Sequence, residues 1–185
     1  KGDSLLEETV PNGWRRAAAP SMVARYRNGQ IEHVTAKGGV VVTTEEGGVT
    51  RTSSSQELEG SYVKGLLKRI LQQGDVRHRD AQKGTILEMR AGVSEYDTER
   101  EVLALTGVES PVLRYITVQA QDRKETQTTA RRIELDRKAD SIRAEGAVRT
   151  LLGQGEDLIT VHSGRLEAER RSGWAVYSDS PRIIR

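Results

Sequence analysis

The chain has 185 residues, enough for one domain, and it is 35% hydrophobic and 4% aromatic, with no phenylalanine and no cysteine. The absence of cysteine excludes a disulfide framework, a thiolate zinc site and a thiol nucleophile. The 29 lysines and arginines are interleaved with 27 acidic residues, which gives a formal net charge of +2. The sequence therefore lacks the clustered basic stripe typical of nucleic-acid binding, and its few large apolar residues favour a thin, extended core.

The sequence contains no apolar run of about 18 residues, so no membrane-spanning segment is predicted. No signal peptide is visible, and the chain begins at Lys1 without an initiator methionine. We expect it to be a piece of a longer protein whose targeting segment, or membrane anchor, lies outside this sequence.

The first twenty residues differ from the rest, because the stretch "PNGWRRAAAP" carries Pro11, Trp14 and Pro20. Prolines and a bulky side chain are suited to blocking a sheet edge. We expect residues 1–20 to be an N-terminal extension or cap and residues 21–185 to be a single β-repeat domain.

A degenerate repeat runs through that domain. Glycines followed closely by valine recur at Gly38, Gly74, Gly107 and Gly146, and Asp179 holds the same place in a fifth copy. Ten residues before each of these, a polar turn is predicted at Asn28, Lys64, Asp97, Asp136 and Glu169. Glycine accepts the positive φ of a sharp bend, so each glycine is predicted to be a corner where a strand leaves one sheet for another.

Apolar residues alternate with polar ones after each turn, which is the period of a half-buried strand. The predicted inward-facing residues, and the candidate contacts for a ligand of the interior, are Val34, Ile70, Leu103, Leu105, Ile133, Leu135, Ile142 and Leu166. Residues 62–73 are ambiguous, since Leu66, Leu67, Ile70 and Leu71 have helical spacing. The repeat favours a strand there, with Gly65 in the turn.

Stacked copies of such a unit predict an all-β fold: an elongated β-jellyroll of two facing antiparallel sheets, built from about five hairpin repeats and roughly 14–18 strands. The ends of the stack leave unpaired strand edges, and the C-terminal "SPRIIR" is predicted to be an open one. The medium and small interior side chains leave two alternatives, a fully packed roll or an apolar groove.

The segments "ARRIELDRKADSIRAEGAVRT" and "HSGRLEAERRSGWAVYSDSPRI" resemble the OstA/LptA-type repeat of lipopolysaccharide-transport proteins, a likeness that covers about residues 22–185. It implies a periplasmic β-jellyroll whose interior carries lipid A acyl chains, without a cofactor, from the inner towards the outer membrane. It also implies edge-to-edge pairing with further copies or with related proteins such as LptC and the N-terminal domain of LptD. The family's usual Gly-Asn-Val corner is absent here, which leaves LptA-like, LptC-like and other OstA-like roles open.

Catalytic chemistry is not predicted. His33, His78 and His162 are isolated in sequence and are expected to be ordinary strand or surface histidines, with no metal site. The "HRD" at His78–Asp80 lacks the rest of a kinase signature, and "GQGED" at 153–157 lacks a phosphate-binding continuation. The alternatives to a lipid carrier are a filled β-scaffold that polymerises and, less favoured by the scattered aromatic residues, a polysaccharide-acting enzyme. Arg131–Arg132 or Arg170–Arg171 are candidates for lipid phosphates.

Overall fold

The computed structural model describes residues 3–10, 12–82, 84–119, 122–153 and 158–184, and these form strands joined by turns and corners. The strands are β1 Ser4–Val10, β2 Gly13–Ala19, β3 Ser21–Arg27, β4 Gln30–Glu46, β5 Val49–Val63, β6 Leu66–Gln82, β7 Thr85–Asp97, β8 Val102–Thr106, β9 Val112–Gln119, β10 Asp122–Thr129, β11 Arg132–Asp136, β12 Ser141–Leu152, β13 Ile159–Glu169, β14 Trp174–Ser178 and β15 Arg182–Ile184. All pairings among them are antiparallel. The predicted all-β class is confirmed.

The strands belong to two facing sheets because the long ones are shared. The second half of β4 pairs with β2, whereas its first half pairs with β3. In the same way β7 pairs with β9 through residues 85–90 and with β8 through residues 93–97. The first sheet runs β1, β2, β4, β5, β6, β7, β9, β10, β12, β13, β15, and the second runs β3, β4, β5, β6, β7, β8, β11, β12, β13, β14.

The corners between the sheets lie where the repeat predicts them. At Gly74–Asp75 and Gly146–Ala147 both residues have positive φ, 77° and 44° in the first pair and 78° and 51° in the second. The ladder slips at each of these pairs, as in a β-bulge. Gly107 differs, because it is the close approach of its backbone to Gly92 that excludes a side chain: a Cβ at Gly107 would lie 2.8 Å from the Gly92 nitrogen.

The five predicted turns are also confirmed, and all of them join strands of the second sheet. Asn28–Gly29 and Lys64–Gly65 are two-residue hairpin turns in which both φ angles are positive. Longer turns follow Asp97, Asp136 and Glu169. Asp97 accepts hydrogen bonds at 2.9 Å from the backbone nitrogens of Glu99 and Arg100, and these lower its carboxyl pKa.

Residues 62–73 form strand and turn rather than helix, as the repeat predicted. Ile70 lies in β6 opposite Gly60 of β5 and Tyr96 of β7, so its segment is paired on both sides. The helical spacing of the four apolar residues is overridden because each backbone hydrogen bond is made across the sheet, and tertiary pairing outweighs local propensity.

The N-terminal residues add a hairpin to the first sheet. β1 and β2 pair over their whole lengths, and Trp14 lies in β2, while Pro11 lies outside the described residues. The described strands leave β1 and β3 as edges at one end of the roll and β14 and β15 as edges at the other. The second end exposes Trp174, Val176, Ile183 and Ile184. In the described part of the chain, no helix has the length and apolar character needed to cross a membrane.

The Gly146–Ala147 corner supplies a matched pair of substitutions with opposite expected signs. Gly146→Ala should lower the free energy of unfolding by about 1–2 kcal/mol, because alanine is strained at positive φ. Ala147→Gly should raise it by roughly 0.5 kcal/mol, since relief of that strain at an exposed site exceeds the entropy that glycine adds to the unfolded chain. Urea denaturation of both variants measures this, and equal effects of the two would contradict the corner geometry.

Candidate functional site

The C-terminal half of the roll has a packed core. Side chains from the first sheet, such as Leu87 and Met89, meet side chains from the second sheet, such as Leu105 and Ile133, and all four are at most 1% exposed. The whole cluster is Leu87, Met89, Leu103, Leu105, Leu113, Ala130, Ile133, Leu135, Ile142, Ala144, Val148 and Leu166. Large aliphatic side chains from both sheets interdigitate here, which fills the space between them.

The N-terminal half is lined by smaller residues. Its buried cluster consists of Ala17, Ala19, Ala36, Val40, Val42 and Leu58. Because alanine and valine reach only part of the way across the distance between facing sheets, a narrow space remains beside this cluster. That space, called here the apolar groove, has a volume of about 30 Å³ and is lined by Leu6, Glu8, Arg15, Ala17, Val34, Val42, Leu58, Gly60, Tyr62, Leu67 and Ile70.

The groove has one polar rim. Glu8 and Arg15, on the paired strands β1 and β2, form an ion pair with 3.5 Å between Oε2 and Nη1. Tyr62 lies beside them, and its hydroxyl pKa is raised, first by burial and then by the Glu8 carboxylate. Apart from these three side chains the lining is apolar or glycine, so the groove suits a hydrocarbon chain better than a polar molecule.

The eight residues predicted to face inward fall into three places. Val34 and Ile70 line the apolar groove. Leu103 is part of the packed core and also borders the next space along the roll. The remaining five, Leu105, Ile133, Leu135, Ile142 and Leu166, are buried in the packed core. Contact between any of the eight and a lipid stays a prediction.

A polar section separates the groove from the packed core. It consists of inward-facing side chains on β5, β6 and β7, among them Gln72 and Ser94, both buried. Gln72 donates to Ser55 Oγ at 3.3 Å, and His78 Nε2 lies 2.9 Å from Ser94 Oγ. This polar chamber has a volume of about 60 Å³ and shares Arg15, Val42 and Ile70 with the apolar groove, so the two spaces adjoin.

His78 is held neutral in this chamber. Burial, followed by the nearby Arg137 guanidinium, lowers the pKa of its imidazole from 6.5 to about 4, although Asp80 acts in the opposite direction. Arg137 approaches from the turn after β11, where its Nη2 donates to Asp80 Oδ2 at 3.1 Å and its guanidinium lies 4.9 Å from the centre of the Tyr96 ring. The chamber therefore has a neutral imidazole and a paired arginine in its wall.

The chamber is not among the features predicted from the sequence. The alternation of Val76, His78 and Asp80 in β6 could have indicated it, because Val76 is fully buried and the two polar residues therefore lie on the same inward face. Gln72 likewise occupies an inward position of the repeat. No sequence pattern indicates that Arg137 belongs to the chamber, because its partner, the Asp80 carboxylate, lies 57 residues away in sequence. The described residues contain no group of histidine and acidic side chains arranged to hold a metal ion.

Comparison with known proteins gives a similarity of fold. No family model and no curated protein matches the chain. Among solved structures, it is similar to LptH of Pseudomonas aeruginosa, the LptA-homologous periplasmic component of the conserved lipopolysaccharide transport device. The identity is 15% and the TM-score 0.47, and the similarity covers 63% of this chain and 82% of LptH.

The low pKa of His78 predicts a pH-dependent stability. The folded state binds a proton at His78 less well than the unfolded state does. Neutral His78 therefore contributes its full share of the free energy of unfolding above pH 6.5, and this share is lost as the pH falls towards 4. The loss should be on the order of 2 kcal/mol. His78→Gln, which keeps a hydrogen-bonding partner for Ser94, should remove this part of the pH dependence. Urea denaturation at pH 7 and pH 4.5 checks it, and an unchanged difference between the two pH values in the variant would contradict the assignment.

Proposed function

We propose that this protein is a non-enzymatic carrier of an acyl-chain lipid, with the chains held in the apolar groove of the N-terminal half. The observation that carries the proposal is the contrast between the two halves of one roll. The buried cluster of the C-terminal half is mostly leucine, isoleucine and methionine, whereas that of the N-terminal half is mostly alanine and valine and lies beside a narrow apolar groove.

Lipopolysaccharide is the proposed cargo, and the periplasm the proposed location. The support is the repeat of polar turn, alternating strand and glycine corner, which resembles that of the OstA/LptA-type transport proteins. The apolar lining of the groove also matches acyl chains, and a bulky saccharide would stay outside the roll.

Edge pairing is the proposed means by which the protein joins its neighbours. The strands β14 and β15 present unpaired backbone at one end of the roll, next to exposed Ile183 and Ile184. An open edge with apolar side chains favours addition of a strand from another β-protein or from a second copy. A lipid passing along such a row would move from one groove to the next.

A scaffold that polymerises without a lipid is the second candidate, and the packed C-terminal core favours it. Such a protein would use the same edges, and its groove would stay empty. The two candidates differ in whether a lipid enters the space beside Ile70.

Site-specific crosslinking distinguishes them. A photo-crosslinking p-benzoylphenylalanine in place of Ile70 should form a lipopolysaccharide adduct in the native envelope, because Ile70 is half-buried and lines the groove. The same residue in place of exposed Glu59, on the neighbouring strand, should form none. In place of Leu105, inside the packed core, it should also form none. Absence of an adduct at Ile70 in a folded protein would favour the scaffold.

The edge strand β15 can be tested separately. Ile183→Lys places a charge on an exposed edge strand, which should weaken strand addition at that end by about tenfold or more without affecting the fold. Sedimentation velocity over a range of protein concentrations measures self-association. The Val23→Lys variant, on the edge strand β3 at the other end, tests the complementary surface, and unchanged association in both variants would exclude pairing through these edges.

A further inference from the structure

An arginine-rich space lies at the open side of the roll, where the ends of the first-sheet strands face turns of the second sheet. It has a volume of about 280 Å³ and is bordered by ends of β5, β6 and β7 together with the turns after β11 and β13. Its lining is Val49, Arg51, Asp80, Gln82, Thr85, Leu87, Arg137, Asp140, Arg170 and Arg171. We call these four arginines and their surroundings the arginine mouth.

Cations outnumber anions in this lining. Four guanidinium groups share two carboxylates, which leaves an excess of two positive charges, as large as the formal net charge of +2 on the entire chain. Asp140 pairs with both Arg170 and Arg171, and Asp80 pairs with Arg137 at 3.1 Å and lies 3.8 Å from Arg51. Glu46, just outside the lining, is 3.6 Å from Arg51 and satisfies part of that group.

Two of the guanidinium groups keep donors without a partner. Arg137 Nε and Arg170 Nε are buried and make no hydrogen bond, although each side chain is held in place by its aspartate. A buried donor left unpaired destabilises the fold unless a ligand or solvent accepts its hydrogen. Arginine also binds phosphate and carboxylate through two parallel hydrogen bonds, so fixed guanidinium groups with free donors are suited to an anion.

The arginine mouth adjoins the polar chamber, which in turn adjoins the apolar groove. Arg51, Asp80 and Arg137 line both the mouth and the polar chamber, and the chamber shares Arg15, Val42 and Ile70 with the groove. The interior thus changes from apolar to polar to cationic in one direction along the roll. A molecule with hydrocarbon chains and an anionic group would match this order.

Resting on the proposed function, we infer that the arginine mouth binds the anionic head group, a phosphate or carboxylate, of the amphiphile whose chains occupy the apolar groove. The head group would accept hydrogen bonds from Arg137, Arg170 and Arg171, and its charge would balance their excess. This assigns a polarity to the bound lipid, with its chains towards β1–β4 and its anionic group towards the turns after β11 and β13.

Isothermal titration calorimetry with three probes tests the inference: decyl phosphate, neutral decyl maltoside with the same chain, both below their micelle concentrations, and sodium phosphate. Decyl phosphate should bind about tenfold more tightly than decyl maltoside, and high salt should reduce the difference. Arg170→Gln/Arg171→Gln should remove most of the difference while leaving decyl maltoside binding unchanged. Arg25→Gln/Arg149→Gln, an equal loss of charge at exposed sites outside these spaces, should keep it.

The outcomes separate this inference from the proposed function. Binding of both alkyl probes with equal affinity would overturn the head-group site and leave the groove standing. Binding of decyl phosphate alone, or of sodium phosphate as tightly as decyl phosphate, would show a phosphate site that works without the groove and would contradict the assignment to an amphiphile. Binding of none of the three would overturn both.

Discussion

The structure depends on corners at which one strand passes from the first sheet to the second. A backbone pair with positive φ, such as Gly74–Asp75, bends the strand and lets its two halves pair with different neighbours. Each corner lies beside the next: Gly146 packs on Arg131, and Gly164 donates its backbone hydrogen to Asp179 at 2.9 Å. This column of corners closes one side of the roll and leaves the other side open, and the opening is where the arginine mouth lies.

Given that backbone, the size of the inward side chains decides what each part of the interior can do. Facing sheets are filled where leucine, isoleucine and methionine project from both, as in the packed core. A narrow apolar groove remains where smaller residues such as Ala17 and Gly60 project between the larger ones. One architecture therefore combines a half packed with large aliphatic side chains and a half with a narrow apolar groove. The polar chamber around Gln72 and His78 lies between the groove and the arginine mouth, and its inner side chains form hydrogen bonds with one another.

Much of this architecture was predictable from the sequence. The repeat located the five turns and the corners at Gly38, Gly74, Gly107, Gly146 and Asp179, because positive φ demands particular residues at fixed positions. The repeat also predicted strand for residues 62–73, although the local apolar spacing favours a helix. Other corners were missed: β5 crosses between Ser54 and Glu57 without a glycine, and Gly164 is followed by Arg165 and Leu166 and not by valine. Gly92 is followed by Val93 but lies outside the frame of the predicted repeat.

The candidate site was less predictable, for a physical reason. Period-two alternation tells which side chains face inward but not how completely they fill the interior, which depends on the sizes of residues far apart in sequence. Val34 and Leu105 have equivalent patterns, yet one lines the groove and the other the packed core. The arginine mouth depends on contacts between Asp80 and Arg137, which only the folded chain brings together.

The central claim is that lipid chains enter one half of the roll while the other stays packed. Methyl-resolved NMR during titration with lipopolysaccharide tests it most directly. The account predicts shifts for Val34, Val42, Leu58 and Ile70 and unchanged resonances for Leu105 and Ile133; shifts confined to the packed core, or none at all, would contradict it.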